Sequence, residues 1–255
     1  MSKFMSERLA GKRVVFIGGV TNIGRAAVSL MVSQGAKVVV GDMNEAAGRA
    51  LVEELGGSVH FVPVDVRDEA SVKNLADASA ERLGGLDSLC QNAGLLRVGS
   101  VGEFASDDWD AVFAVNMRAQ FYAVKHVVPH LRAAGGGSIV NMSSVAGKKG
   151  GGGRTAYSAS KGAVIAFSIS LAAELADDNI RVNTVCPGWI DTPFNDPAIE
   201  IIGGKEVVEQ MVNAGVLLRR QGRPEEVATV FAFLVSDESS YMTAQSIVID
   251  GGYYS

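Results

Sequence analysis

A tyrosine and a lysine four residues apart, Tyr157 and Lys161, are the side chains whose types and spacing most directly suggest catalysis. On a helix this spacing places both side chains on one face, one turn apart. The pKa of a tyrosine is ordinarily near ~10, too high for a proton acceptor at neutral pH. A neighbouring ammonium group favours the phenolate and makes tyrosine usable as a base. We therefore predict that Tyr157 transfers a proton.

A glycine-rich segment, residues 18–24 (GGVTNIG), follows the first apolar run and precedes a helical pattern. Glycines allow a tight turn and a close approach of a phosphate to the backbone. The helix N-terminus adds unpaired N–H groups and partial positive charge. Such turns also occur for structural reasons, but the position at the first strand–helix junction favours a dinucleotide site.

Asp42 ends the second apolar run, near the ~20-residue spacing expected of an acid that binds the adenosine ribose. A carboxylate there accepts hydrogen bonds from both ribose hydroxyls and repels a 2′-phosphate. A solvated aspartate at a strand end is the alternative. The neighbours that would face a 2′-phosphate carry no cation: Val20, Thr21, Asn22 and Met43. We therefore predict NAD as the cofactor.

Short apolar runs alternate with helical patterns along the chain, which is typical of parallel strands covered on both faces. We predict an α/β fold, a doubly wound (Rossmann) seven-stranded parallel sheet flanked by helices, as a single domain over residues 1–255. The strands are expected at 13–18, 37–40, 59–64, 87–90, 138–142, 180–185 and 245–249, and the helices at 23–34, 45–55, 69–83, 107–131, 156–176 and 225–235.

Two segments interrupt this alternation just after strand ends, where an open α/β sheet binds ligands. Residues 148–153 (KKGGGG) predict a mobile loop, either a plain surface loop or one that acts at the site. Residues 191–218 contain a helical stretch and predict a lid over the substrate.

The composition excludes several classes of protein. The chain has 255 residues, 47% of them hydrophobic, and a net charge of −5 without a basic block, so nucleic-acid binding is not expected. No apolar run reaches the ~18 residues of a membrane span, and residues 1–11 lack the apolar core of a signal peptide. Cys90 and Cys186 lie in apolar segments and predict buried free thiols rather than a disulfide or metal site. We expect a cytoplasmic protein with no metal and no membrane partner.

Several motifs follow one another along the chain, namely the glycine-rich loop, Asn92-Ala93-Gly94, Asn116, Ser143-Ser144, Tyr157 with Lys161, Pro187-Gly188 with Thr192, and Asp250-Gly251-Gly252. With these motifs in this order, the sequence resembles the short-chain dehydrogenase/reductase family, in its NAD-dependent type of about 250 residues, over nearly the whole chain.

The resemblance implies four catalytic residues. Tyr157 would donate or accept the proton of the substrate oxygen, and Ser144 would hydrogen-bond that oxygen. Lys161 would bind the nicotinamide ribose and lower the pKa of the tyrosine. Asn116 would hold a water that connects Lys161 to solvent. Ser143 is the rival to Ser144, but the offset of thirteen residues from Tyr157 favours Ser144.

The resemblance also implies the cofactor contacts. Asp65 and Val66 would contact adenine, and residues 187–192 would cradle the nicotinamide. The loop departs from the family pattern Thr-Gly-x-x-x-Gly-x-Gly at Ile17 and Asn22, and we expect it to keep its shape because asparagine tolerates left-handed backbone. The full set is Gly18, Thr21, Asn22, Ile23, Gly24, Asp42, Asp65, Val66, Asn92, Ala93, Gly94, Tyr157, Lys161, Pro187, Gly188, Ile190 and Thr192.

These motifs predict an NAD(H)-dependent oxidoreductase that interconverts a secondary alcohol and a ketone by hydride transfer. An NADPH-dependent 3-oxoacyl-carrier-protein reductase is the alternative within enzymes, and Asp42 weighs against it. A non-catalytic nucleotide-sensing protein on the same fold is the alternative outside enzymes, although such a protein need not retain Ser144, Tyr157 and Lys161 together.

The predicted pocket wall is apolar, which favours an aliphatic or aromatic substrate over a sugar. Whether the lid side chains line the pocket or simply dock on the core stays open, as does recruitment of an anion by Arg97, Lys149 or Arg154. The wall residues are Leu95, Leu96, Val145, Trp189 and Phe194, with Ile199, Ile202, Val207, Val208, Met211 and Val212 from the lid.

Two helices carry apolar residues on more than one face, and the surplus predicts a subunit interface. The resemblance implies a homotetramer, which suits closed symmetry. The residues are Val112, Phe113, Phe121 and Val124 on one helix and Val164, Ile165, Phe167 and Ile169 on the other.

Overall fold

Seven strands, paired in parallel throughout, form one sheet in the computed structural model, which describes residues 7–254. The strands are β1 (Arg13–Ile17), β2 (Lys37–Asp42), β3 (Val59–Pro63), β4 (Ser88–Gln91), β5 (Gly137–Met142), β6 (Ile180–Pro187) and β7 (Ser246–Ile249). Their order is β3-β2-β1-β4-β5-β6-β7, so the winding reverses between β1 and β4. The predicted doubly wound seven-stranded sheet is confirmed.

Helices cover both faces of this sheet, as the near-continuous burial of the strands requires. They are α1 (Asn22–Ser33), α2 (Glu45–Leu55), α3 (Glu69–Leu83), α4 (Ser106–Phe113), α5 (Ala119–Ala133), α6 (Ala146–Lys149), α7 (Thr155–Glu174), α8 (Asp196–Ile202), α9 (Lys205–Gly215) and α10 (Pro224–Val235).

The side chains of β1 alternate between two apolar clusters, one on each face of the sheet. Val14 and Phe16 belong to the cluster formed with α1 and α10, where the rings of Phe16 and Phe231 are 5.5 Å apart. Val15 and Ile17 belong to the cluster formed with α3, α5 and α7. Because β1 is buried on both faces, its carboxyl end is held rigidly at the centre of the sheet.

The predicted helix over residues 107–131 is not continuous. A π-helical turn, Ala114–Arg118, separates α4 from α5 and has the buried Asn116 at its middle. Such turns insert one extra residue and occur often at functional sites.

The segment 191–218 contains two helices instead of the single helical stretch expected. A short 3-10 turn, Pro193–Asn195, leads into α8, and α9 follows after Gly203 and Gly204. These two glycines have φ values of 114° and 100°, a region that favours glycine and ends α8.

Within residues 7–254, one helix, α7, is long and apolar enough to span a bilayer, judged by its length and composition alone. It packs along β6 and the π-helical turn. Lys161 and Ser168 on this helix are buried inside the protein. Its apolar composition therefore matches its place as the central helix of the fold.

Two further expectations concern the cysteines and the N-terminus. Cys90 and Cys186 are free and buried, as predicted. The expectation that residues 1–11 contain no signal-peptide core falls partly on residues 1–6, which lie outside the described residues.

Arg13 and Asp87 join the starts of β1 and β4. The Asp87 carboxylate accepts hydrogen bonds from the backbone N (2.8 Å), Nε (2.9 Å) and Nη2 (2.7 Å) of Arg13. Burial acts to raise the pKa of Asp87, but these hydrogen bonds outweigh it and the pKa is lowered. The pair therefore stabilises the central strands while Asp87 is ionised.

Asp87→Asn is expected to reduce the free energy of unfolding at pH 7 by about 1–3 kcal/mol, since it weakens hydrogen bonds to a charged group. The loss should shrink in acid, because stability from a lowered carboxyl pKa is present above the unfolded pKa and disappears as pH falls through the folded one. Urea unfolding at pH 7 and in acid measures both effects. Arg49→Gln, which removes an exposed pair with Glu45, is the control and should cost under about 0.5 kcal/mol. An equal loss for the two variants would contradict the assignment.

Candidate active site

A cleft of about 530 Å³ opens at the carboxyl ends of the strands, beside the point where the winding reverses. This is where doubly wound sheets bind their ligands, and the volume is in the range of small-molecule sites. We call the part formed by the turns after β1, β2 and β3 the β1–β3 end. The part formed by the loops after β4, β5 and β6 is the β4–β6 end.

The glycine-rich turn after β1 is shaped by close backbone contacts. Gly18 has φ of 78°, and a Cβ there would lie 2.5 Å from the backbone N of Ala93. A Cβ on Gly24 would overlap the carbonyl oxygen of Gly18, which also accepts a 2.7 Å hydrogen bond from Asn92 Nδ2. Asn22 has φ of 47°, the left-handed geometry expected of the residue that replaces the family's glycine. The turn therefore keeps its tight shape.

The N-terminus of α1 faces the cleft with its N–H groups free of side-chain caps. Thr21 is the N-cap residue but makes no side-chain cap hydrogen bond, and the first turn contains no acidic residue. Thr21, Asn22 and Ile23 line the cleft. Unpaired N–H groups and the helix dipole suit an anion, so this chemistry fits a dinucleotide pyrophosphate.

Asp42 lines the β1–β3 end, as predicted, and its Oδ1 accepts a 3.0 Å hydrogen bond from the backbone N of Asn44. Asp65 and Val66 line the same end. The sequence analysis missed Arg67, which also lines the cleft there and pairs with Asp65 (Nη2–Oδ2 2.7 Å). Hydrogen bonds from Arg67 lower the pKa of Asp65, so the charge of this arginine is already balanced.

Tyr157 and Ser144 meet at the β4–β6 end. Tyr157 is only 8% exposed, and burial raises its pKa to about 12. Hydrogen bonding to Ser144 and the positive charge of Arg154 both act in the opposite direction on this pKa. At neutral pH the phenol therefore carries its proton and is able to donate it.

Lys161 lies behind the tyrosine ring, with its Nζ 5.8 Å from the ring centroid of Tyr157. Nζ donates a 2.9 Å hydrogen bond to the carbonyl oxygen of Met142, at the end of β5. Burial lowers the pKa of Lys161 to about 8, and the nearby Cys186 raises it by less. The positive charge of Arg154 acts to lower the pKa of Tyr157, and the lowering expected from Lys161 stays a prediction.

The two neighbouring serines have different surroundings. Ser143 is buried, and its Oγ donates a 2.7 Å hydrogen bond to the carbonyl oxygen of Lys161, which fastens α7 to the end of β5. Ser144 is half-buried, and its Oγ accepts a 3.1 Å hydrogen bond from the backbone N of Ala146. The surroundings of Ser144, beside Tyr157, favour it over Ser143 as the residue that contacts a ligand.

Asn116 does not line the cleft and instead joins two of its walls. Its Oδ1 accepts from Leu95 N (2.7 Å), while Nδ2 donates to Leu95 O (2.9 Å) and Ser160 Oγ (3.0 Å). A Cβ on Gly94 would lie 3.5 Å from Asn116 Oδ1 and 3.6 Å from Lys161 Nζ, so both polar groups border the same space. The water relay stays a prediction.

Apart from Asn116, the predicted site residues line this one cleft, with a single exception. Gly24 does not line the cleft but allows the tight turn after β1. The predicted residues that line it are Gly18, Thr21, Asn22, Ile23, Asp42, Asp65, Val66, Asn92, Ala93, Gly94, Ser144, Tyr157, Lys161, Pro187, Gly188, Ile190 and Thr192. Sequence analysis missed Gly41, Val64, Arg67, Ala111, Val115, Met142, Ala146, Asn195, Ala198 and Tyr253 among the lining residues.

At the β4–β6 end, the apolar wall residues named in the sequence analysis line the cleft. They are Leu95, Leu96, Val145, Trp189 and Phe194. The predicted lid side chains do not line the cleft. Val208 and Val212 are buried in an apolar cluster with Trp189, whereas Val207 and Met211 are exposed. Val208 and Val212 dock α9 on this cluster, because one face of the helix is apolar and packs inward. Arg97, Lys149 and Arg154 all line the cleft.

Comparison with known proteins supports the same interpretation as the geometry of the cleft. A family model described as enoyl-(acyl carrier protein) reductase matches residues 19–254. The chain belongs to the short-chain dehydrogenase/reductase family. A 3-oxoacyl-[acyl-carrier-protein] reductase FabG of Thermotoga maritima is 40% identical over 96% of this chain and 98% of its own length.

Relatives with other names are almost equally similar. A cyclopentanol dehydrogenase of Comamonas testosteroni is 37% identical over 96% of this chain and 98% of its own length. A 3-alpha-(or 20-beta)-hydroxysteroid dehydrogenase of Mycobacterium tuberculosis is 37% identical over 97% of this chain and 91% of its own. The chain is therefore similar to oxidoreductases over nearly its whole length, while the substrates in their names differ.

Proposed function

We propose that this protein is an NAD(H)-dependent oxidoreductase that interconverts a secondary alcohol and a ketone, with Tyr157 as the acid/base. The observation that carries the proposal is the meeting of Tyr157 and Ser144, with Lys161 behind them, at one end of a cleft. The other end of that cleft has the uncapped helix N-terminus and strand-end carboxylate that suit a dinucleotide.

The proposal gives each residue of the site a role. When bound, the nicotinamide would supply or accept the hydride, and its oxidised form would carry a positive charge. Tyr157 donates its proton to the carbonyl oxygen in reduction and accepts one in oxidation, while Ser144 orients that oxygen. Lys161 binds the nicotinamide ribose, and Asn116 holds the water through which Lys161 exchanges protons with solvent.

The preference for NAD rests on the charges at the β1–β3 end. Asp42 offers two acceptors to the ribose hydroxyls and repels a 2′-phosphate. Arg67, the cation that lines this end, is neutralised by Asp65. A 2′-phosphate would therefore meet a carboxylate without gaining a free cation.

A 3-oxoacyl-carrier-protein reductase is the second candidate. The similarity to reductases of that name, 38% and 40% identical, favours it. A carrier-protein thioester as the preferred substrate, or NADPH as the preferred cofactor, would decide for it. A purely nucleotide-sensing protein is disfavoured, because it would have no use for the grouping of Ser144, Tyr157 and Lys161.

The substrate has an apolar body, since Leu96, Val145 and Trp189 form the walls next to Tyr157. Segment 191–218 serves as a lid through its first part, where Thr192 and Phe194 reach the cleft. Free buried cysteines suit a reducing, cytoplasmic compartment.

Tyr157→Phe is expected to bind NADH normally and to lose at least about 100-fold in kcat, because only the transferred proton is removed. Ketone-dependent oxidation of NADH measures turnover, and fluorescence titration measures cofactor binding. Tyr241→Phe, at a fully exposed tyrosine, is the control and should keep wild-type activity. Activity above a few per cent in Tyr157→Phe would exclude the tyrosine as the acid.

Asp42→Ala is expected to weaken NAD binding and to raise the relative kcat/KM with NADP, since it removes ribose hydrogen bonds and a repulsive charge. Paired kinetics with NADH and NADPH measure the change. Asp42→Asn, which keeps the size and loses the charge, separates repulsion from hydrogen bonding. A wild-type preference for NADPH would refute the role given to Asp42.

We also propose a homotetramer, for which the outer faces of α5 and α7 supply contact surface. Phe121 and Ile169 are 45% and 47% exposed, whereas Val124 and Val164 are buried within the subunit. Light scattering at micromolar concentration should give four times the chain mass. Phe121→Glu with Ile169→Glu should lower that mass, and a monomeric wild type would refute the assembly.

A further inference from the structure

The two ends of the cleft have opposite electrostatic character. The carboxylates that line it, Asp42 and Asp65, both lie at the β1–β3 end. Within residues 7–254, no aspartate or glutamate lines the β4–β6 end, whereas Arg97, Lys149 and Arg154 line it together with Tyr157. A chain with net charge −5 thus places an excess of positive charge where the substrate binds.

Two of these three cations already have partners in the protein. Arg97 Nε is 3.3 Å from Asp108 Oδ1. Lys149 Nζ donates a 3.2 Å hydrogen bond to the carbonyl oxygen of Tyr253 and lies 4.6 Å from the centre of its ring. Their donors are therefore partly committed.

Arg154 differs from both. In the part of the chain that the structure describes, its guanidinium makes no ion pair with a carboxylate and no side-chain hydrogen bond. Its Cζ lies 5.7 Å from the ring centre of Trp189, a buried residue of the cleft wall. A cation–π contact with an aromatic ring orients a guanidinium and leaves its N–H donors available.

Arg154 is also close to the reacting end of the cleft. It directly precedes α7, one turn before Tyr157, and it lines the same cavity. Its positive charge lowers the pKa of Tyr157, so the field of the guanidinium reaches the phenol. A group bound to Arg154 is then held near an oxygen bound to Tyr157.

We propose that the substrate is a hydroxy or oxo carboxylic acid with an apolar body, and that Arg154 binds its carboxylate. The proposal rests on the proposed function and deepens it. Reduction consumes one hydride and one proton, which go to the carbonyl carbon and oxygen, and the carboxylate leaves unchanged. Arg154 is then a specificity-determining residue, because the planar fork of arginine matches a carboxylate with two parallel hydrogen bonds.

A carboxylate fits this site better than a phosphate does. One guanidinium balances a single negative charge, whereas a phosphate monoester carries nearly two at neutral pH. A second cation would be needed beside it, whereas Arg97 is paired with Asp108 and Lys149 is held by the carbonyl oxygen of Tyr253. The apolar walls also leave few groups to satisfy further oxygens.

The experiment compares acids with their neutral esters in the full-length protein. 4-Oxopentanoate and 4-acetylbenzoate, each against its methyl ester, are assayed with NADH in wild type, Arg154→Gln, Arg154→Lys and Arg97→Gln. We expect wild-type kcat/KM for the acids to exceed that for the esters at least tenfold. Arg154→Gln should lower this ratio at least tenfold, mainly through KM, Arg154→Lys should lower it partially, and Arg97→Gln should keep it.

A binding measurement separates recognition from turnover. In the NADH complex of Tyr157→Phe, calorimetry should detect 4-oxopentanoate more readily than its ester, and Arg154→Gln added to this variant should remove the difference. Thermal unfolding and NADH titration show whether the Arg154 variants remain folded.

The outcomes distinguish the two proposals. Turnover of the esters with no preference for the acids overturns the carboxylate site and leaves the proposed function intact. No ketone-dependent oxidation of NADH with any compound overturns the function itself. A ratio that falls in Arg97→Gln but not in Arg154→Gln overturns the assignment of the residue, and faster turnover of an oxoalkyl phosphate overturns the choice of carboxylate.

Discussion

The close packing of α7 against the end of β5 is the constraint on which the candidate site depends. Lys161 is fully buried, and its ammonium group is held by the carbonyl oxygen of Met142. Ser143, directly after β5, fastens the same turn of α7, and a Cβ on Gly147 of α6 would lie 2.6 Å from the carbonyl carbon of Lys161. Because the backbones at Gly147 and Lys161 are in direct contact, the phenol of Tyr157, one turn before Lys161, has little freedom to move. Burying a cation is costly, and this packing makes the cost tolerable by fixing a hydrogen-bond acceptor beside it.

Local sequence patterns predicted the features that local physics decides. The strands could be predicted because burial on both faces requires continuous apolar runs. The tight turn could be predicted because it requires glycine, and glycine is visible in the sequence. Gly18 and Gly24 contact other backbone groups and leave no room for a Cβ. The left-handed backbone of Asn22 followed from the residue type.

Features set by tertiary contacts could not be predicted in the same way. The π-helical turn exists where Asn116 bridges Leu95 and Ser160, three segments that are far apart in the sequence. The apolar residues of α9 recur at helical spacing, which predicts an amphipathic helix. This spacing does not indicate whether the apolar face borders a cleft or packs on the core. Tyr253 reaches the cleft because the chain turns back after β7, and a single aromatic residue near the end of a sequence carries no signal of that path.

Burial and charge act on the pKa of Tyr157 in opposite directions, and their balance suits the proposed role of proton donor and acceptor. Burial among apolar walls keeps the phenol protonated at neutral pH, with its pKa raised to about 12. Ser144 and Arg154 oppose this shift, one through a hydrogen bond and the other through charge. A carboxylate bound to Arg154 would cancel part of that opposing charge and hold the proton more firmly until a carbonyl oxygen is in place. The group that selects the substrate would thereby also favour the protonated form that reduces it.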